Sequence, residues 1–188
     1  MPSRTTTVVP DRLAAHRVRL DAARTGAVGR HVITMPGLAA RLAGGFLRVA
    51  TTVEVEKALQ PPPDLGSGGL AHIASLPGFP RAAARTLQSA WARGIDVAAQ
   101  AAAPGSHPRW GELRTLEAAA LAALPSGAVS PPELVAAALD RIAHAPALLG
   151  AVSLTRVADV ERVYRPLIAA LADVVPVVWE RSAAPDDG

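Results

Sequence analysis

The chain has 188 residues and a formal charge of +3; half of it is hydrophobic but only 3% is aromatic, so its core has to be built from Ala, Leu and Val. The absence of cysteine excludes disulfides and thiolate metal sites, and five scattered histidines with no i, i+4 pair argue against a metal centre. The only lysine, Lys57, lies in Val53-Glu54-Val55-Glu56-Lys57 without the glycines whose amides wrap a phosphate, which excludes a P-loop.

In chain order, Thr5-Thr6-Thr7-Val8-Val9-Pro10 and His31-Val32-Ile33-Thr34-Met35-Pro36 are two short β-like runs, each leading into a helical segment that begins at Asp11 or Gly37. Gly44-Gly45 stops the second helix, and a short helix is expected over Val53–Leu59. Residues 60–69, Gln-Pro-Pro-Pro-Asp-Leu-Gly-Ser-Gly-Gly, break regular structure and are expected to form a flexible linker. From Leu70 to Leu149 the pattern is wholly helical. Pro80 opens a helix whose inner stripe is Ala83, Leu87 and Trp91, with Arg81 and Arg85 on a neighbouring face and Gly94 at its end.

A second helix is expected over Trp110–Leu124, and Ser130-Pro131-Pro132-Glu133 is a helix start with Ser130 as cap, running to about Ala143. Gly150–Leu154 has the character of a buried strand, Asp159–Ala172 of a helix, and Val174–Trp179 of a last strand that Pro176 assigns to a sheet edge or a strand start. The order βαβα, helical block, βαβ predicts an α/β fold: a parallel sheet of about four strands with an all-helical insertion. The expected divisions are 1–59 and 150–180 for the sheet core, 70–149 for the insertion, and 181–188 for a disordered tail. The N-terminus lacks the apolar core of a secretory signal, and the apolar stretch Pro166–Trp179 is too short for a membrane helix, so a cytoplasmic chain is expected.

Charge is uneven. Residues 1–48 hold eight arginines against Asp11 and Asp21, whereas the remainder is net acidic. An arginine-rich end suits phosphate contact, or else it is a solvated basic face in a chain whose arginine content follows codon bias.

Four segments resemble the N-terminal region of AddB-type subunits of bacterial ATP-dependent helicase-nucleases, inactivated superfamily I helicases of double-strand break repair. These are Thr7-Val8-Val9-Pro10-Asp11, Ile33-Thr34-Met35-Pro36-Gly37-Leu38-Ala39-Ala40-Arg41-Leu42, Leu76-Pro77-Gly78-Phe79-Pro80 with its helix to Asp96, and Leu154-Thr155-Arg156-Val157. The resemblance implies a fold like the first motor domain of such a helicase. It also implies contact with single-stranded DNA through the loops after the strands, at Pro10, Asp11, Arg12, Thr34, Met35 and Arg41, and a partner helicase-nuclease chain. Departures matter for mechanism. The family's P-loop strand would precede Thr5, and neither Val152 nor Ser153, near the expected magnesium position, is a carboxylate. The expectation is therefore a truncated or degenerate, non-catalytic piece with no cofactor.

Other chemistry is poorly supported. Gly66-Ser67-Gly68 lacks the strand-to-helix context of a nucleophile elbow, and Glu54 with Glu56 does not make an acid/base pair. Trp91, Trp110 and Trp179 serve either as core or as stacking platforms for bases. The alternatives to a DNA role are a helical interaction or scaffold protein, and a nucleotide site completed by another chain.

Overall fold

The computed structural model describes residues 4–26, 28–155, 157 and 160–180. In chain order the elements are β1 (Thr5–Val9), α1 (Arg12–Arg24), β2 (Arg30–Thr34), α2 (Met35–Leu42), β3 (Arg48–Val49), α3 (Thr52–Ala58), α4 (Phe79–Ala92), α5 (Val97–Ala102), α6 (Arg109–Ala123), β4 (Ala128–Val129), α7 (Pro131–Leu139), α8 (Ala145–Leu149), β5 (Ala151–Thr155), α9 (Arg165–Ala172) and β6 (Val177–Glu180). They divide into two compact units. One holds residues 1–46, 134–160 and 164–188, the other 47–133 and 161–163.

The first unit is the expected α/β sheet. Four strands lie in the order β2-β1-β5-β6, every neighbouring pair parallel. Parallel neighbours require crossover connections, and helices lie between the strands in sequence as that geometry demands. Alternation along β1 sends Val9 to one face, where it clusters with Val32 of β2 and Ala15 of α1. Val8 faces the other way and stands in register with Leu154, both essentially inaccessible to solvent. Pro176 immediately precedes β6, an edge strand, where its missing N–H breaks no ladder.

A cluster of hydrogen bonds ties β1 to the helix before β5. The last carbonyls of a helix have no partner within it. At the end of α8 three consecutive ones are taken: Arg4 Nη1 donates to Ala147 (2.9 Å), Arg41 Nε to Leu148 (3.3 Å), and the buried Thr6 Oγ1 to Leu149 (2.8 Å). Gly150 then turns the chain into β5 at φ +64° and ψ −146°, with the Arg4 carbonyl where a Cβ would stand. Only glycine fits there.

The second unit is mainly helical. Its core gathers Val55 and Leu59 around α3, Leu87 and Trp91 of α4, and Leu116 and Ala120 of α6. The stripe Ala83, Leu87, Trp91 is buried as the four-residue spacing predicts, and Gly94, at φ +65°, follows the helix end. Thr51 and Glu54 cap α3 reciprocally, and Ser130 and Glu133 do the same at the start of α7.

Several boundaries differ from expectation. The block from Leu70 to Leu149 is not wholly helical, because β4 pairs in parallel with β3 as a separate two-stranded sheet. Met35 and Pro36 belong to α2 and not to the strand; proline is tolerated in a first helical turn. The helix from Ser130 ends at Leu139, short of Ala143. Pro146 cannot donate to the carbonyl four residues back, so the chain passes through a 3₁₀ turn and restarts as α8. The helix expected from Asp159 becomes a 3₁₀ turn, Arg162–Tyr164, followed by α9, whose first turn holds Pro166; Asp159 itself lies outside the described residues, as does the 181–188 tail. Residues 60–69 are irregular but partly packed: Leu65 lies against the core and Gly68 against the Glu112 side chain. Among the described residues, no helix is long and apolar enough to cross a membrane.

Candidate functional site

In an open parallel sheet, ligands approach the carboxyl ends of the strands, where the loops diverge. Val9 stands opposite Thr34 in register, so Pro10, Asp11 and Arg12 emerge beside Thr34 and Met35 at that edge. Five of the six residues singled out from sequence are thus brought together. The sixth is not. Arg41 lies about 9 Å further along α2 from Met35, and it is spent on the Leu148 carbonyl, next to the amino end of β5.

The five are unequally available. Met35 is buried at 9% exposure and Thr34 is partly buried, whereas Pro10, Asp11 and Arg12 are exposed. Asp11 is the cap of α1: its carboxylate accepts the Ala14 N–H at 2.7 Å. The amino end of this helix is where many α/β folds receive a phosphate, since free N–H groups and the helix dipole favour an anion. Here the chain's own carboxylate occupies it. On the same edge the Thr155 hydroxyl donates to Glu180 Oε2 at 2.6 Å, so a second carboxylate borders the strand ends.

The basic N-terminal stretch is largely committed. Beyond Arg4 and Arg41, Arg19 donates to the Val32 carbonyl (2.6 Å) and Arg24 lies 3.6 Å from Asp21. Arg48 grips Glu54 through two hydrogen bonds of 2.5 and 2.7 Å, which, with the Thr51 amide, hold the Glu54 carboxyl down at about 2. Among the described residues, Arg12, Arg17 and Arg30 are the members of the group without a hydrogen bond or ion pair.

A more open arrangement lies in the helical unit. A groove of about 350 Å³ lies between α4 and α6, lined by Arg85, Thr86, Ser89, Ala90, Arg93 and Ile95 from α4 and the segment after it and by Trp110 and Leu113 from α6. Arg85, Ser89 and Arg93 recur at four-residue steps and so share one face. Both guanidiniums are exposed and, among the described residues, form no ion pair. From Leu65 to Ile95 the sequence holds no carboxylate. Behind the groove, the buried Trp91 donates its indole N–H to Glu117 Oε1 at 2.6 Å, joining α4 to α6. Burial pushes the Glu117 carboxyl above its ordinary value, against the opposing effect of that hydrogen bond.

The three tryptophans therefore differ. Trp91 is core, Trp110 is half-buried in the groove wall, and Trp179 is 51% exposed on the edge strand β6. The arginine spacing on α4 and the tryptophan opening α6 are visible in sequence, but their juxtaposition depends on the packing of two helices. Among the described residues, no three of His, Asp and Glu gather closely enough to hold a metal ion. No protein-family model matches the chain, and no curated protein matches it.

Proposed function

We propose that this chain is a non-catalytic relative of the first motor region of a double-strand break repair helicase-nuclease subunit. In this reading it works in the cytoplasm and contacts single-stranded DNA or a partner helicase-nuclease chain. The observation that carries the reading is the chain order: a parallel sheet β2-β1-β5-β6 whose halves are separated in sequence by a mainly helical unit, as in the AddB-type arrangement that the sequence resembles. The non-catalytic part of the reading draws on Val152 and Ser153, neither of them a carboxylate, at the magnesium position that the resemblance implies.

A second reading, an interaction protein with no nucleic-acid role, draws on Leu13 and Leu20 of α1, which are 60% and 43% exposed. Fluorescence anisotropy of a labelled oligo-dT strand separates the two. The DNA reading expects binding at low salt that weakens linearly in log-log form, by about 0.7 per phosphate contacted. No binding at low salt overturns it in favour of the interaction protein.

A further inference from the structure

We infer that the α4–α6 groove, and not the strand ends of the sheet, is where this chain grips single-stranded DNA, with a base on Trp110 and the flanking phosphates on Arg85 and Arg93. The inference rests on the reading above that the chain contacts single-stranded DNA, and it moves that contact to a surface the resemblance does not indicate.

The chemistry of the groove is two-part. Its lining is apolar at Ala90, Ile95, Leu113 and the indole of Trp110, and polar at the exposed Arg85, Ser89 and Arg93. Such a combination fits a ligand that is flat and apolar in one part and anionic in another. A volume of about 350 Å³ is on the scale of a small-molecule pocket and too small for a folded partner. Arg85 and Arg93 are two full steps of four apart, about 12 Å along the helix, so two anions at a comparable spacing engage both without either side chain folding toward the other. A backbone that repeats its negative charge can do so while presenting a base between them. Stacking on an aromatic ring together with arginine contact to the backbone is how single strands are held without sequence preference.

Charge favours this surface over the strand ends. None of the residues lining the groove is a carboxylate, with Asp96 capping α5 just beyond Ile95 and Glu117 bonded to Trp91, whereas Asp11 and Glu180 themselves border the sheet edge. A duplex is disfavoured because its bases are already stacked and cannot lie on Trp110. An acidic peptide satisfies the arginines but leaves the indole unused.

The test uses the full chain with oligo-dT, read both by anisotropy of a labelled strand and by quenching of intrinsic tryptophan fluorescence. Quenching should saturate with the anisotropy curve and be largely lost in both W110F and W110A, with an affinity loss of about tenfold in W110A, where no ring is left to stack on. In R85A/R93A the slope of log K against log salt should shrink by about 1.4, for two phosphates released. Circular dichroism checks that each variant keeps the wild-type helix content. Tight oligo-dT binding that none of these variants changes would overturn the groove and leave the broader DNA reading standing. Absence of oligo-dT binding by the wild type would overturn both. A duplex bound as tightly as oligo-dT, or displacement of oligo-dT by poly-glutamate at equal charge, would show anion contact without base recognition and also overturn the groove.

Discussion

Replacing Thr6 by valine isolates one hydrogen bond that joins β1 to the end of α8. Thr6 is fully buried, and its hydroxyl is the partner of the Leu149 carbonyl at 2.8 Å. Valine has nearly the same shape and removes a buried hydroxyl, so packing is conserved. What changes is that a helix-terminal carbonyl loses its donor inside the protein, a cost of about 1–3 kcal/mol. Serine keeps the donor and loses one methyl group, worth about 0.8 kcal/mol. The two variants should therefore rank T6V below T6S. Amide hydrogen exchange of peptides covering β1 and β5 reads this locally, with a loss of 1–2 kcal/mol accelerating exchange about 5- to 30-fold. Exchange in T6V as slow as in wild type, or no faster than in T6S, would refute the assignment of this bond as a stabilising tie.

Three further outcomes follow from the geometry. Substituting Gly150 by alanine places a Cβ at φ +64° against the Arg4 carbonyl and should lower the melting temperature by about 5 °C or more; G26A, at φ +66° with open space around it, should cost less. The Glu54 carboxyl, lowered to about 2 by Arg48 and the Thr51 amide, should still be ionised at pH 3 by carbon-13 NMR; its stabilising effect is present above the ordinary value of 4.5 and is lost as pH falls through about 2, and E54Q should abolish that acid dependence. Glu117 is shifted the other way by burial, so its contribution is fully present below 4.5 and declines as pH rises through the elevated value. E117Q, whose amide oxygen still accepts the Trp91 N–H, should be at least as stable as wild type at pH 7 by urea denaturation, whereas E117L, which orphans that donor, should be less stable by about 1 kcal/mol or more.

The sheet was legible in sequence because each of its strands carries a local signal. Val8-Val9 precede Pro10-Asp11, Val32-Ile33 lead through Thr34 into α2, Val152 and Leu154 alternate, and Pro176 marks where β6 starts. Ser130 and Glu133 announced α7 through a cap that depends only on residues three apart. By contrast, β3 and β4 have two residues each and pair across a long stretch of sequence, so no periodicity could reveal them. The helix breaks before α8 and α9 were present as Pro146 and Pro166, but their register within the first turn depends on where the preceding helix stops.

The candidate site was less legible, for a related reason. Pro10, Asp11, Arg12, Thr34 and Met35 do converge, since parallel strands deliver their following residues to one edge. Arg41 does not, because a helix returns toward the opposite edge, and its guanidinium goes to a backbone carbonyl. The excess of N-terminal arginine suggested a phosphate surface, yet Arg4, Arg19 and Arg41 terminate on carbonyl oxygens, a use that composition cannot distinguish from free charge. The α4–α6 groove needed two helices, distant in sequence, to be placed side by side.

Photocrosslinking a single strand carrying halogenated uracil, followed by mass mapping of the attached peptide, tests the account most directly. The crosslink is predicted on the peptide containing Trp110, reduced in R85A/R93A. Attachment confined to peptides around Pro10–Arg12 or Thr34–Met35 would contradict it.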